Sequence, residues 1–185
     1  MTEQTQANQG AGDDEEFYDD ATSAFPSVEH LAPSVPPNFG AGRLVAIWAV
    51  ENGTAKGKNG MYPFTQTITL ALDDGPNGDQ ANEMVPTAPY RLEMRHSTGY
   101  IQGKLRGRVD GKTTKGVPLR FRPMIGRVNT QASSNNKNVP AYAIAPATDE
   151  EKATTVQKHR ELIISISKEL EAKAADSDAF SDAPF

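Results

Sequence analysis

Tyr100 to Arg127 reads YIQGKLRGRVDGKTTKGVPLRFRPMIGR and carries eight Lys or Arg residues against a single acid, Asp110. The cations alternate with apolar or small residues, first at Lys104, Arg106 and Arg108 and again at Arg120 and Arg122. A period of two is typical of strands, because successive side chains leave opposite faces of the pleat. The segment therefore predicts two strands with cationic faces, joined by a basic hairpin loop from Asp110 to Gly116.

Such a cationic sheet face suits a polyanion. The alternative is an ordinary solvated face, since Lys and Arg are common surface residues. Protein surfaces normally mix both signs of charge, whereas this segment has a net charge of +7 in a chain of −5. We therefore expect a polyanion-binding surface that includes Lys104, Arg106, Arg108, Lys112, Lys115, Arg120 and Arg122.

The rest of the chain divides sharply by charge. Residues 1–40 carry −8, residues 41–148 carry +7, residues 149–174 carry −1 and residues 175–185 carry −3. A basic middle between acidic ends indicates nucleic-acid binding with an interaction tail. The absence of Cys excludes disulfides and thiolate metal ligands. Because neither a signal peptide nor a membrane-length apolar run is apparent, we expect a cytoplasmic protein without membrane contact.

Four segments are expected. Residues 1–40 are acidic and Pro-rich and predict disorder, residues 41–147 form a β domain, residues 148–174 form a helix, and residues 175–185 form a disordered acidic tip. The β domain holds about five short strands and glycine-rich turns, which favours a mainly β fold, a small five-stranded OB-like barrel. Another small β-barrel or sandwich remains open.

The helix has a clear start. Thr148 and Glu151 have the spacing of a capping box, and Val156, Ile163 and Leu170 recur every seven residues with Ile166 between them. This apolar stripe predicts docking on the chain's own domain, with a partner helix as the alternative. Val139–Ile144 predicts a last edge strand, since Pro140 is tolerated at a strand start or an edge.

No catalytic constellation is apparent. His30, His96 and His159 share no metal-ligand spacing, and Gly107–Thr113 is one residue short of a phosphate-binding P-loop. We therefore expect a protein that is not an enzyme and needs no metal or other cofactor.

Binding of single strands requires aromatic faces on which bases stack. The predicted loop from Glu51 to Tyr62 contains Lys56 and Lys58, and Tyr62 and Phe64 follow it. Together with Tyr100, these two aromatic residues are the expected stacking platforms. Phe121 alternates with Arg120 and Arg122 and is assigned to the core. The placement of Trp48 is ambiguous, although it shares its predicted face with Leu44 and Val50, which favours burial.

The last residues, Ser181-Asp182-Ala183-Pro184-Phe185, resemble the acidic tip of bacterial and phage single-stranded DNA-binding proteins. Across residues 30–160 the chain also resembles OB-fold proteins of actinobacterial phages, through "GRLVAIW", "LDDGP" and "IGRV". The resemblance implies binding of single-stranded DNA, without strong sequence preference, during replication, recombination or repair in the host cytoplasm. It further implies recruitment of partner enzymes by a tip formed from Asp176, Asp178, Phe180, Asp182, Pro184 and Phe185.

Two other classes of protein remain open. One is a virion structural or assembly protein whose basic β domain meets another subunit. The other is a protein that binds duplex DNA or RNA. The sequence does not decide between DNA and RNA, nor whether the chain forms a homo-oligomer.

Overall fold

The computed structural model describes residues 35–73, 88–94, 100–132 and 140–181, without the side chains of Tyr100, residues 131–132, Pro140 and residues 177–181. This part of the chain is mainly β, with an open five-stranded antiparallel sheet in the order β3-β2-β1-β4-β5. The strands are β1 (Leu44–Gly57), β2 (Gly60–Ala71), β3 (Tyr90–Arg91), β4 (Met124–Ala132) and β5 (Pro140–Pro146). The α-helices are α1 (Tyr100–Val109), α2 (Asp149–Lys158) and α3 (Arg160–Ser181).

The first half of β1 is buried on both of its faces. Residues 45–49 are all apolar and at most 1% exposed. A continuous apolar run of this kind is typical of a strand covered on both sides. Helix α3 packs against the face that carries Ala46 and Trp48, which we call the α3 face. Helix α1 packs against the opposite face, which carries Val45, Ile47 and Ala49 and which we call the α1 face.

Trp48 lies at the centre of the α3 face and is fully buried, as its place in the sequence pattern favoured. Its Nε1–H donates a hydrogen bond of 3.0 Å to Ser167 Oγ on α3. This bond satisfies the only polar group of the indole, which would otherwise be buried without a partner.

The predicted apolar stripe packs on the α3 face, so the helical segment docks on the chain's own domain, as expected. Its members Val156, Ile163, Ile166 and Leu170 all contact that cluster. The segment is not a single helix ending near residue 174, because it breaks at His159 into α2 and α3. Helix α3 also continues to Ser181, so its last seven residues occupy positions that were assigned to the acidic tip.

The capping box at the start of α2 is confirmed. Glu151 N donates to Thr148 Oγ1 at 3.1 Å, and Thr148 N donates to Glu151 Oε2 at 2.8 Å. Glu151 also pairs with the Arg127 guanidinium on β4. The Thr148 backbone bond, followed by the Arg127 bond, lowers the pKa of Glu151. Arg127 therefore fixes α2 to the sheet.

Asp73, two residues after the end of β2, fastens the junction of α2 and α3. Its Oδ1 accepts from Lys158 Nζ at 2.7 Å and lies 3.3 Å from His159 Nε2. Partial burial acts to raise the pKa of Asp73, but the Lys158 and His159 bonds outweigh it and hold that pKa below its ordinary value of 3.8. The carboxylate therefore stays charged and keeps the helix junction against the sheet.

The predicted strand at Lys104–Val109 is wrong, because Tyr100–Val109 forms helix α1. Ile101, Leu105 and Val109 recur every four residues, and the helix lays all three against the α1 face. Burial of this stripe outweighs the low helix propensity of Gly103 and Gly107. Lys104, Arg106 and Arg108 therefore lie around a helix and do not share a strand face.

The second predicted basic strand is also wrong. Leu119–Phe121 is a 3₁₀ turn, and β4 begins only at Met124. The segment Asp110–Gly116 thus joins α1 to this turn and does not connect two basic strands, although Lys112 and Pro118 form an isolated antiparallel bridge. Phe121, assigned to the core, is only half-buried. The alternating cationic face predicted for Arg120 and Arg122 does not form, because Arg120 lies in the turn and Arg122 follows it.

The predicted loop from Glu51 to Tyr62 is replaced by strand. β1 and β2 pair as far as Gly57 and Gly60, around a two-residue turn at Lys58 and Asn59. Gly60 adopts a φ of 115°, which only glycine tolerates easily. The edge position of β5, which starts at Pro140, is confirmed.

The residues of the expected disordered segment 1–40 that lie within the described part belong to the fold: Val35 pairs with Leu92, and Pro37–Gly40 forms a 3₁₀ turn. None of the helices in the described ranges combines the length and the apolar character that crossing a bilayer requires.

We predict that Ser167→Ala lowers the free energy of unfolding by about 1–3 kcal/mol, because it leaves the buried Trp48 N–H without an acceptor. Chemical denaturation checks this value. Ser165→Ala is the matched control, since Ser165 lies on the same helix and is only half-buried. An equal loss of stability in both variants would contradict the role assigned to the Trp48–Ser167 bond.

Candidate nucleic-acid interface

The outer halves of β1 and β2 extend beyond the rest of the sheet. β4 pairs with β1 only along Leu44–Ile47, and β3 pairs with β2 only at Leu70 and Ala71. Residues 51–57 and 60–66 therefore form a two-stranded arm, and neither outer edge of it pairs with another strand among the residues described. We call this hairpin the arm.

One face of the arm continues the α3 face. A register shift between Ala49 and Glu51 falls in β1, while β2 runs without interruption. Alternate residues of β2 share a face, so Tyr62, Phe64 and Gln66 lie on the same side as Leu70. Arg91 is paired directly opposite Leu70 and shares that side too. The structure thus places aromatic, amide and guanidinium groups in one row.

The two aromatic rings of this row rest on glycines. A Cβ at Gly53 would lie 2.8 Å from Phe64 Cζ, and one at Gly57 would lie 3.0 Å from Tyr62 Cδ1. Only the missing side chains therefore allow the rings to lie this close to β1. Tyr62 is 37% exposed and Phe64 is half-buried. The two stacking residues predicted from the sequence are brought together and held against a backbone platform.

Helix α1 holds the base of the arm. Asn52 lies on the α1 face, and its Nδ2 donates to the Arg106 carbonyl at 3.1 Å. Thr65 Oγ1, directly across the hairpin, donates to Asn52 Oδ1 at 3.1 Å. These two bonds fix the direction in which the arm leaves the sheet, because a two-stranded hairpin alone is only marginally stable.

An open groove of about 830 Å³ follows the outer edge of β2 between the arm and β3. Its lining includes Phe64, Gln66, Thr67, Thr69, Arg91 and Glu93. The one guanidinium and the one carboxylate offset each other, so net charge does not favour phosphates here. The hydroxyl, amide and aromatic groups instead suit the edges and faces of bases. Sequence reasoning missed Gln66, Arg91 and Glu93.

Cations stand at the end of the arm. Lys56 and Lys58 are both exposed and flank Gly57, on which the Tyr62 ring rests. Lys56 pairs with Met61, which is 65% exposed and is the most exposed large apolar residue described. Two of the predicted cations therefore lie at the same end of the hairpin as the predicted aromatic residues, although Lys56 is on the opposite face of the arm from Tyr62 and Phe64.

The other predicted cations are separated from this group. Lys104 and Arg106 are exposed on α1, which covers the opposite face of the sheet from Tyr62 and Phe64, and Lys112 and Lys115 are exposed on the segment after it. Arg108 Nη2 donates to the Arg122 carbonyl at 2.9 Å, so this bond joins the end of α1 to the segment that follows the 3₁₀ turn. Arg120 lies over the Phe121 ring, with its guanidinium carbon 4.8 Å from the ring centroid.

Several predicted residues fall outside the described part. They are the side chain of Tyr100, those of Asp178 and Phe180, and the whole of residues 182–185. His30 and His96 also lie outside it, whereas Asp176 is exposed on α3. Across the described ranges, no three His, Cys, Asp or Glu side chains gather into a group that could hold a metal ion.

We predict that the Phe64 and Tyr62 rings shift the Hα resonances of Gly53 and Gly57, respectively, in the ¹H NMR spectrum. Phe64→Leu should return the Gly53 resonance toward its ordinary value and leave Gly57 unchanged, and Tyr62→Leu should do the reverse. Each variant is the control for the other. Loss of both shifts in either variant would show that the rings do not rest independently on the arm.

Comparisons with known proteins add no relative to this picture. No protein-family model, no curated protein and no solved structure matches the chain. A function must therefore be inferred from the described surface: an arm with exposed lysines, two aromatic rings on one face, and an open groove beside them.

Proposed function

We propose that this protein binds single-stranded DNA, without strong sequence preference, across the arm and the β2–β3 groove. The observation that carries the proposal is the row of Tyr62 and Phe64 beside exposed lysines and an open groove. Single strands bind where a cationic surface follows the backbone and aromatic faces stack the bases. Duplex DNA keeps its bases stacked inside, so it gains little from such rings.

In this proposal the groove binds the bases and the lysines bind the phosphates. Arg91 and Glu93 give the groove no net charge, whereas Lys56 and Lys58 give the arm a positive end. We therefore place the bases on Phe64 and in the groove, and the phosphates toward the lysines. Hydrogen bonds from Gln66 and the threonines adapt to any base, which accounts for weak sequence preference.

The strand arrangement supports an OB-like barrel as the finer description of the fold. Helix α1 follows β3 in the chain and contacts β1, β2 and β5, which is the arrangement expected of a sheet that curves around the helix. In OB-folds, oligonucleotides bind to the face of strands 2 and 3 and to the loops joining strands 1–2 and 4–5. The arm joins β1 to β2, and the groove follows β2 and β3, so the candidate site has the position that this fold class uses.

The proposal assigns the protein to DNA replication, recombination or repair in the cytoplasm of a host cell, with no catalytic activity of its own. Its alternatives are a virion structural protein and a binder of duplex DNA or RNA. The aromatic rings of the arm favour single strands over both, because a subunit contact or a duplex backbone needs no row of stacking platforms.

Fluorescence anisotropy with oligo-dT, oligo-rU and duplex DNA of equal length tests the proposal. Oligo-dT should bind most tightly, and Phe64→Ala and Tyr62→Ala should each weaken it by about 1–3 kcal/mol. Lys56→Gln/Lys58→Gln should make the dependence of log affinity on log salt less steep by about 1.4, at about 0.7 for each phosphate that a lysine no longer neutralises.

Lys104→Gln/Arg106→Gln is the matched control, because it removes two cations from the opposite side of the sheet. Its effect on the salt dependence should be smaller than that of the arm variant. A larger effect would move the site to α1. Equal binding of duplex and oligo-dT, or no salt-dependent binding of any nucleic acid, would overturn the proposal.

We further propose that the acidic tip from Asp176 to Phe185 recruits partner enzymes, the role that the resemblance implies. A pocket for Phe185 with basic groups around it is a known mode of peptide capture. A pull-down of replication proteins should recover less partner with Phe185→Ala and least with residues 176–185 deleted. Equal recovery of partner by the wild type and both variants would show that the tip only makes the protein more soluble.

A further inference from the structure

A second, smaller pocket lies at the base of the arm, next to β1, whereas the groove follows the outer edge of β2. Its volume is about 230 Å³, and its lining includes Val50, Arg120, Phe121, Leu170, Lys173 and Ala174. The 3₁₀ turn and the C-terminal half of α3 thus form its two walls. Its floor is apolar and aromatic, and its two polar residues are both cations.

This lining combines an apolar, aromatic surface with two cations, which are the groups that a nucleotide requires. The Phe121 ring lines the pocket, and the Arg120 guanidinium lies over one face of that ring, 4.8 Å from its centroid, so a base would stack on the other face. Lys173 is 49% exposed in its side chain and pairs with Glu169 at 2.9 Å, which directs the ammonium group along α3. A base on Phe121 would bring its phosphate toward Arg120 and Lys173.

The pocket is also continuous with the proposed DNA site. Val50 lines the pocket, and Gly53, three residues further along β1, lies under the Phe64 ring. Three residues of strand span about 10 Å, a distance that one strand of DNA can bridge. Helix α3 lines the pocket, and Phe64 lies on the α3 face, so both sites are on the same side of the sheet.

We infer that this pocket is a second base-binding subsite, which receives a nucleotide of the same strand after the strand crosses the base of the arm. The inference rests on the proposed function, because it extends the DNA path from the β2–β3 groove past Phe64 to Phe121. It gives roles to two residues that lay outside the arm: Arg120 binds phosphate, and Phe121 stacks a base.

The Glu51 carboxylate lies on the proposed path of the DNA strand. It is exposed, it lies between Val50 and Gly53, and its pairing with Gln66 puts it on the same face as Phe64. A strand that crosses here passes this carboxylate and is repelled by it. Glu51→Gln should therefore tighten binding of oligonucleotides long enough to cross and leave shorter ones unaffected.

The length dependence of binding tests the inference. Oligo-dT of about 5 nucleotides fills only the arm and the groove, whereas oligo-dT of about 14 nucleotides also reaches the pocket, within the range known for one OB-fold. Ala174→Met fills the pocket without changing charge, and Ala172→Met on the exposed side of α3 is its control. Ala174→Met and Arg120→Gln should weaken the longer oligonucleotide about five-fold or more and leave the shorter one unchanged.

Each result decides between the two proposals. If the wild type binds both oligonucleotides and neither variant changes the longer one, the subsite is wrong while the proposed function stands. If the wild type binds no oligo-dT, the function fails and the subsite with it. If the variants spare DNA binding but abolish binding of an acidic, Phe-containing peptide, the pocket serves a protein. Circular dichroism melting of each variant separates these results from loss of folding.

Discussion

The continuous apolar run of β1 from Leu44 to Ala49 is the constraint on which the rest of the structure depends. Because both faces of this strand exclude water, each needs its own cover, and α1 and α3 supply it from opposite sides of the sheet. Trp48 adds one polar requirement, which Ser167 meets. The run ends at the register shift before Glu51, beyond which α1 still holds Asn52 at the base of the arm. The arm therefore emerges where the sequence turns polar, and the candidate site lies at that boundary.

The net charge of a segment differs from the charge that its surface presents to a ligand. Arg127 pairs with Glu151, and buried Arg43 donates to the Asp73 carbonyl and lies over the Tyr90 ring. Arg108 is bound to the carbonyl of Arg122. These cations hold elements together, so the net charge of the basic middle overstates what a ligand meets. The two arm lysines, by contrast, are exposed and present their charge at the surface.

Local signals in the sequence predicted the parts of the fold that depend on neighbouring residues. The first strand, the capping box at Thr148 and the docking stripe through Ile163 were all readable, because each needs only a short pattern. Helix α1 was not, since Lys104–Val109 fits a period of two as well as it fits helix. The stripe of Ile101, Leu105 and Val109 decides for helix only when a sheet face is available to bury it.

The candidate site was readable in its rings and lysines but not in its groove. Tyr62, Phe64, Lys56 and Lys58 lie close together in sequence, and a hairpin keeps them close in space. The row that joins Phe64 to Arg91 depends on the pairing of β2 with β3, which no local pattern specifies. The same holds for Phe121, whose pocket exists only because α3 returns along the sheet to the 3₁₀ turn.

Pro63 lies in the β2 strand of the arm, opposite Thr54. An exposed strand edge can pair with the edge of another molecule and begin aggregation. Proline has no N–H to donate to an added strand, and like-charged lysines at the arm's end repel a second arm. At high local concentration, neighbouring molecules should therefore remain separate and exchangeable. Their arms should not pair edge to edge into a shared sheet that forms irreversibly.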